Sequence, residues 1–388
     1  MAGGCSDGNA DPDGDVGSPD EACSGDEACS GVLTAAAYGS RPADGPAAGT
    51  VATVRVLVVA NPRATSTTAR QRDVLVHALS ADAKLEIEET ANRGHAAALA
   101  CRAMRDRVDV VVALGGDGTV NEVVNGLLTD GVHPDLPALG VVPGGSTNVF
   151  ARALGLPNDP FEATSMLLDA MAGRRTQRIG LGQADGRYFL FTAGMGYDAA
   201  VVAAVEAHRR RGKPSTHRLY VRTAVSTYFR QDRRHPRLQL ELSDGGVIEN
   251  LHMALVTNCD PWTYLGNTPI SPTPQASFAT GLDVYARTRM GALGLLLAAT
   301  GMLNQAKPGH AAATSPSDSR VKRVTRPFRR QPRTPDSTVK FGARIEHDLS
   351  SFVLSSSRPM PFQVDGDALD YRDRVEFRSI PQAIEVLI

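Results

Sequence analysis

The chain contains 388 residues, of which 42% are hydrophobic and 21% are charged, and its formal net charge is −1. This length suffices for two domains with sizeable cores. The apolar run from Gly291 to Leu303 is too short to span a bilayer, and it predicts a buried or interfacial helix rather than a transmembrane one. The five cysteines show no metal-ligand spacing, which favours a reduced cytosolic protein.

The N-terminal segment is strongly acidic. Its first fifty residues hold nine acidic residues against Arg41 alone, with few large apolar side chains. Such a composition predicts a disordered acidic tail over residues 1–52. A positively charged start followed by an apolar stretch is missing, so we expect no secretory signal here.

Strand and helix patterns then alternate from residue 53 to 180, which predicts an α/β fold with a doubly wound parallel sheet. The predicted strands of this domain are Val54–Val59, Leu85–Glu89, Val108–Leu114 and Leu139–Val142. Residues 181–380 shift to a β-rich pattern and predict a second domain. Its predicted strands are Tyr188–Thr192, Leu238–Leu242, His252–Asn258 and Phe352–Leu354, with helices near 198–211 and 217–230.

The segment LGGDGTVNEVVNGL, Leu114 to Leu127, follows a buried strand directly. A strand, a glycine turn and a helix start present backbone N–H groups to phosphate oxygens. The glycines would allow a close approach, and Asp117 is an acceptor or a ligand for a nucleotide-borne magnesium ion. The alternative is an ordinary turn in which Asp117 caps the helix.

Three further segments support a phosphate site. GVVPGGSTNVFARALGLP, Gly140 to Pro157, is a second glycine turn, and its Ser, Thr and Asn residues are typical helix caps. Asn61 ends the first strand, and TANRGHAAALA begins at Thr90 before another helix, where His95 has a supporting role at most. Turns on neighbouring parallel strands meet at their carboxyl ends, where α/β folds bind ligands.

In this order and spacing, the four segments resemble the diacylglycerol kinase catalytic-domain family, which includes bacterial lipid kinases, sphingosine kinases and ceramide kinases. Later segments extend the resemblance from Val54 to the C-terminus, with a gap at residues 304–345. They are AGMGYDAAVV (193–202), SPTPQASFATGLDVYA (271–286) and PFQVDGDALD (361–370).

The resemblance implies transfer of a phosphoryl group from ATP to a lipid hydroxyl, with Mg²⁺ and a group that accepts the hydroxyl proton. It implies that Asp117 and Asp367 are catalytic, with Asp367 as general base and Asp365 as its orienting partner. Asp117 and Asp283 are the implied metal ligands. It also implies that residues 381–388 return to the first domain. The implied nucleotide-binding residues are Asn61, Thr90, Gly94, Gly115, Gly116, Gly118, Thr119, Glu122, Gly144, Gly145, Ser146, Thr147 and Asn148.

Three departures from the family pattern accompany this resemblance. Val149 and Thr280 replace carboxylates that many relatives carry, and Gly145-Ser146 replaces a Gly-Thr pair. Asp365 and Asp367 would point the same way on a strand, so that one could raise the pKa of the other. The alternative is that Asp365-Gly366-Asp367 is simply a hairpin turn.

Two basic stretches balance the acidic tail. Residues 205–237 and 307–344 each hold ten Lys and Arg residues against two acidic ones. Clustered basic side chains attract anionic lipid headgroups, so we expect a cytoplasmic enzyme associated peripherally with the inner membrane face. The prolines of the second stretch predict a disordered insert at 304–345. Sparse aromatic residues argue against nucleic acid as partner.

Diacylglycerol is the favoured acceptor because the most similar-looking relatives are bacterial. Sphingoid bases and ceramide remain alternatives, since generic apolar residues line acyl pockets. An NAD kinase-like enzyme with a soluble acceptor also uses a Gly-Gly-Asp-Gly loop. A catalytically weak lipid-binding regulatory module is the alternative outside the enzymes.

Overall fold

A computed structural model describes residues 53–64, 83–211, 217–232, 234–291 and 342–388, together with positions 73, 75–77 and 80. The predicted acidic tail (1–52), nearly all of the apolar segment Gly291–Leu303 and most of the basic insert lie outside these residues. The insert was predicted to end at residue 345. A strand nevertheless begins at Ala343, because it pairs with the strand Leu282–Arg287.

The first part of the chain alternates strands and helices, as predicted. Its elements are β1 (Val54–Ala60), β2 (Ala83–Glu89), α1 (His95–Arg105), β3 (Val110–Gly115), α2 (Asp117–Leu127), β4 (Ala138–Pro143), α3 (Val149–Ala153) and α4 (Pro160–Ala172). The four strands are parallel and lie in the order β4-β3-β1-β2.

Strands dominate the rest of the chain, again as predicted. The elements are β5 (Thr176–Ala184), β6 (Arg187–Phe189), β7 (Thr192–Gly196), α5 (Tyr197–Arg210), α6 (His217–Arg230), β8 (Leu238–Leu242), β9 (Val247–Leu251), β10 (Met253–Thr257), β11 (Thr263–Leu265), β12 (Thr268–Ile270), β13 (Leu282–Arg287), β14 (Ala343–Leu349), β15 (Ser351–Val364) and β16 (Asp367–Leu387). Within the described residues, no helix has the length and apolar character needed to cross a bilayer.

Helices cover both faces of the parallel strands. Successive strand residues point to opposite faces, so Val111 joins a core with Leu99 of α1 and Val123 of α2. Its neighbour Val112 joins the opposite core, with Leu167 of α4. Burial on both faces explains the runs of valine in β1 and β3. The fold is therefore the predicted α/β type, a doubly wound parallel sheet followed by a β-rich region.

Strand β16 connects the parallel and antiparallel strands. It pairs antiparallel with β15 and β5, and its last residues pair parallel with β4, Val386 opposite Leu139. The main sheet of the described chain consequently has 14 strands. We keep the division into domains at residues 180 and 181 as a proposal, since β5 spans that position.

Two glycines of α2 provide a test of how closely the helices pack. A side chain at Gly126 would overlap the carbonyl oxygen of Ala97 in α1, whereas a side chain at Gly118 would meet nothing within 4 Å. We expect Gly126→Ala to lower the free energy of unfolding by about 1–3 kcal/mol, because the helices must separate. Gly118→Ala should be neutral or should stabilise by up to about 1 kcal/mol, because alanine favours helix. Urea denaturation of both variants measures this, and equal effects would contradict the described packing.

Candidate active site

The two glycine turns pack directly against each other at the carboxyl ends of β3 and β4. The N–H of Gly144 donates to the carbonyl oxygen of Gly115 at 2.8 Å. A side chain on Gly116 would lie 3.2 Å from the Cα of Gly145, and one on Gly145 would lie 2.8 Å from the Cα of Gly116. These glycines are therefore required by backbone packing. The interpretation that glycine clears space for a ligand fits Gly118, which is exposed.

Asp117 joins the two turns through its carboxylate. Helix α2 begins at Asp117 itself, earlier than the sequence indicated, and Asp117 does not cap it. Its oxygens instead accept the N–H groups of Val149 and Phe150, at 3.0 and 3.1 Å, and so cap α3. Burial raises the pKa of Asp117, while these two hydrogen bonds and the charge of Arg152 lower it.

The residues expected to cap α3 have other roles. Asn148 adopts a left-handed conformation with φ of 49° and makes no capping hydrogen bond. Its side chain folds back on Gly145, accepting from the N–H and donating to the carbonyl oxygen. Ser146 is exposed and Thr147 is half-buried, so both present hydroxyls at the surface of the turn.

The loops that follow β1 and β2 lie beside the start of α2. The amide of Asn61 donates to the hydroxyl of Thr119 at 3.1 Å, and the N–H of Thr90 donates to the carbonyl oxygen of Ala60. Glu122 accepts the N–H of Ala96 at 3.2 Å, in the first turn of α1 just after Gly94. The structure thus brings the predicted nucleotide-binding residues together at one edge of the parallel sheet.

Asp365 lies in a two-residue hairpin turn between β15 and β16. Both Asp365 and Gly366 have positive φ, 48° and 82°, and Val364 pairs with Asp367. This geometry matches a type I′ turn, which Asp-Gly favours. The hairpin interpretation is therefore correct for Asp365 and Gly366.

The carboxylate of Asp365 is buried and accepts hydrogen bonds from the N–H groups of Leu190, Phe191 and Thr192 at 2.8–3.0 Å. The amide of Asn121 in α2 donates to it at 2.7 Å. The predicted strand Tyr188–Thr192 is accordingly divided between β6 and β7, because these N–H groups bind the carboxylate. Burial raises the pKa of Asp365 to about 6, although the four donors oppose the shift.

Asp367 does not point the same way as Asp365, because the turn separates them. Its carboxylate pairs with Arg93 at 3.0 Å, and its side chain is 30% exposed. Arg93 also pairs with Glu206 of α5 at 3.4 Å, and Glu206 accepts the N–H of Ala368 at 3.2 Å. Burial, and not the charge of Asp367, is the main cause of the raised pKa of Asp365.

Asp283 lies in an ion pair away from these carboxylates. Its Oδ1 contacts Nδ1 of His347 at 2.6 Å and accepts the N–H of Asp348. The pairing raises the pKa of His347, so the imidazole favours its charged form beside Asp283. Among the described residues there is no group of three or more metal-binding side chains. The role of Asp283 as a metal ligand stays a prediction, with Oδ1 engaged by His347 and Oδ2 buried without a hydrogen bond to any described residue.

Sequence reasoning missed several residues at this site. Asn121 and Arg93 stand inside the segments that carry the resemblance, but polar residues at such positions have no distinctive spacing. Arg152 of α3 stacks on the ring of Tyr264, 3.3 Å from its centroid. Glu206 belongs to the first basic stretch, where an isolated carboxylate gave no signal.

Behind the turn, Asp198 is a second buried carboxylate, in the first turn of α5. It accepts a hydrogen bond from the amide of Gln363 at 2.9 Å, and Gln363 in turn accepts the N–H of Gly366. Burial raises the pKa of Asp198 to about 6, while the hydrogen bond lowers it. Asp198 of α5 is thus linked to the hairpin turn through Gln363.

We expect Asp365→Asn to reduce the free energy of unfolding by about 3 kcal/mol, since an amide cannot accept from all of these donors. Urea denaturation measures the loss. Asp370→Asn, an exposed carboxylate in β16, is the matched control and should change stability by less than about 0.5 kcal/mol. A loss of the same small size for Asp365→Asn would rule out the described hydrogen bonds.

Asp198 predicts a pH dependence of stability. A folded pKa of about 6 lies above the ordinary value of 3.8. The folded state therefore holds this proton more tightly, and that stabilisation is complete below about pH 4 and is lost as the pH rises through 6. Relative to Asp198→Asn, the wild-type free energy of unfolding should fall by roughly 2–3 kcal/mol between pH 4 and 7. Urea titrations at both pH values check this, and a difference that does not change with pH would contradict it.

Residues 55–184 match the diacylglycerol kinase catalytic domain. The diacylglycerol kinase of Staphylococcus haemolyticus (strain JCSC1435) is 37% identical over 124 residues, which cover 32% of this chain and 36% of that protein. The diacylglycerol kinase of Staphylococcus saprophyticus is also 37% identical over 124 residues, or 38% of its length. The chain thus matches little more than a third of the length of these curated relatives.

Solved structures extend the likeness of the fold to most of the chain. A Bacillus anthracis (strain Sterne) protein, provisionally described as a diacylglycerol kinase, superposes with a TM-score of 0.63 at 20% identity. The alignment covers 87% of this chain and 98% of that one. A further diacylglycerol kinase structure from the same strain has a TM-score of 0.57 at 19% identity. The matching segment and the shared fold confirm that this chain resembles the diacylglycerol kinase catalytic-domain family.

Proposed function

We propose that the chain is an ATP-dependent lipid kinase that transfers the γ-phosphate to a lipid hydroxyl, with diacylglycerol as the acceptor. The observation that carries this proposal is the 2.7 Å hydrogen bond between Asn121 and Asp365. It ties the helix of the first glycine turn to the hairpin turn that bears Asp367. This hydrogen bond supports a site in which the proposed phosphate-binding turn lies near the proposed proton acceptor.

Support for a nucleotide comes from the edge of the parallel sheet. Gly118 is exposed in the first turn of α2. The first N–H groups of a helix have no carbonyl four residues earlier to bond, although the N–H of Thr119 donates to the carbonyl oxygen of Gly116 at 3.0 Å. The exposed hydroxyl of Ser146 and the half-buried one of Thr147 lie on the adjoining turn. Backbone N–H groups and hydroxyls at a helix start suit the phosphates of ATP.

The residues present also suit Mg²⁺, which proteins often hold through one or two carboxylates plus substrate phosphates. Asp117 is the candidate ligand. Each of its oxygens accepts one N–H, and a carboxylate retains further lone pairs. When bound, the ion would neutralise charge on the phosphates.

Asp367 is the proposed general base. Its carboxylate is partly exposed and is held by Arg93, a residue of the loop that contains Thr90 and Gly94. In the proposed step the lipid oxygen bonds to the γ-phosphorus of ATP, the bond to the departing ADP oxygen breaks, and the hydroxyl proton passes to Asp367. The reaction would take place at the inner membrane face, where the lipid lies.

Diacylglycerol is proposed as acceptor because the matched Staphylococcus proteins are named diacylglycerol kinases. The match covers about a third of each chain, and sphingoid bases and ceramide are acceptors that the assay must include. A soluble acceptor would instead indicate NAD kinase-like chemistry.

We expect wild-type protein to transfer labelled γ-phosphate from ATP–Mg²⁺ to diacylglycerol in mixed micelles. Asp367→Asn should lower kcat by about 10²–10⁴-fold, because the proton acceptor is removed. Asp117→Asn should abolish most turnover, while Asp370→Asn, three residues beyond Asp367, should retain it. Thermal unfolding of each variant controls for misfolding. Absence of label in every lipid, or full activity of Asp367→Asn, would overturn the proposal.

A further inference from the structure

Helix α6 carries a row of exposed apolar side chains. Val221, Val225 and Phe229 are 56%, 52% and 69% exposed. They stand four residues apart, so they lie along one side of the helix. Exposed apolar residues scattered singly are ordinary, but a contiguous row on one surface marks a site of interaction. We call these three residues the α6 stripe.

The opposite side of α6 is anchored to the body of the protein. The hydroxyl of Tyr228 donates to the carbonyl oxygen of Met290 at 2.8 Å, and Tyr228 is buried. The hydroxyl of Tyr197 in α5 donates to the carbonyl oxygen of Ala224 at 2.8 Å. Thr223 is also buried. These contacts hold the α6 stripe outward, so its exposure follows from how the helix is attached.

Arginine residues surround the α6 stripe. Arg222 and Arg230 directly follow Val221 and Phe229 and are exposed. Exposed arginines also end α5, at positions 209, 210 and 211. Of the two acidic residues between positions 205 and 237, Glu206 pairs with Arg93 and Arg210. Asp232 pairs with His235 and Arg237. The surface around the stripe is therefore strongly positive.

We infer that the α6 stripe and its arginines dock on an anionic lipid bilayer. The apolar side chains would enter the boundary between headgroups and acyl chains, and the guanidinium groups would contact lipid phosphates. A second copy of the chain is a poorer occupant. A two-fold interface would place the same arginines opposite each other, and like charges repel.

Docking at this surface would also serve the proposed kinase reaction. Only this link to the reaction rests on the proposed function. Helix α5 links α6 to Asp367. The hydroxyl of its Tyr197 donates to Ala224 of α6, and its Glu206 shares Arg93 with Asp367. A bilayer held at the stripe would bring a lipid hydroxyl close to the proposed general base.

The test is flotation of the full chain with phosphatidylcholine vesicles containing about 30% phosphatidylglycerol, compared with vesicles of phosphatidylcholine alone. We expect Phe229→Ser to weaken binding by about tenfold, because a large apolar side chain no longer inserts. Phe161→Ser, which changes an exposed phenylalanine of α4, should bind as wild type does.

The arginines are tested separately. The double variant Arg222→Gln with Arg230→Gln should weaken binding by about 30-fold, at roughly 1 kcal/mol per charge. Arg105→Gln with Arg174→Gln, both exposed, is the control pair.

Equal binding by Phe229→Ser and Phe161→Ser would overturn the inference. So would a wild-type dimer in lipid-free sedimentation that Phe229→Ser converts to a monomer, since the stripe would then be a self-association interface. Wild-type turnover of a short-chain diacylglycerol dissolved as monomers tests the proposed function separately. Failure there with intact vesicle binding would remove the kinase proposal and leave the docking surface.

Discussion

The contact between Asn121 and Asp365 is the interaction on which the rest of the site depends. Asn121 lies one turn into α2, on the helix that begins with Asp117. Asp365 takes the place of a strand partner for the N–H groups of Leu190, Phe191 and Thr192. A buried carboxylate without such donors would be strongly destabilising. One buried acceptor thus determines both the path of residues 190–192 and the position of the hairpin relative to α2.

Backbone packing determines the other side of the site. Gly116 and Gly145 touch across the two turns, and Asp117 then caps the helix that follows the second turn. The carboxylate of Asp117 therefore stabilises the fold without a ligand. Its two N–H donors fix its orientation, which is what the proposed role as a magnesium ligand requires. The same side chain can serve both purposes because the hydrogen bonds do not exhaust its lone pairs.

The regular elements of this fold were predictable because their signals are local. Strands β1, β3 and β4 are buried on both faces over most of their length, and their apolar runs report that burial directly. Helices α5 and α6 likewise lie close to their predicted bounds. The predicted strand Tyr188–Thr192 was wrong, because it is interrupted by hydrogen bonds to Asp365, which lies more than 170 residues later.

The sequence predicted which segments form the candidate site, but it did not predict which side chains contact each other there. The glycine turns and the Asp-Gly-Asp segment were recognised, yet the partners of Asp117, Asp365 and Asp367 were not. Each partner comes from a distant segment, and nothing in local spacing announces an arginine such as Arg93 as the partner of Asp367. Asp283 shows the converse, because a carboxylate in a recognised segment proved to pair with a histidine of β14.

The long strand β16 has a consequence for how the protein is made. Val386 pairs with Leu139 of β4, and Ala383 and Ile384 are buried in the core that contains α1 and α2. On the ribosome, β4 is synthesised long before the strand that will cover its outer edge. Until residue 386 emerges, that edge exposes backbone N–H and carbonyl groups that can pair with other chains. The nascent parallel-sheet half is therefore expected to be vulnerable to aggregation, and a chaperone that shields the β4 edge would protect it during synthesis.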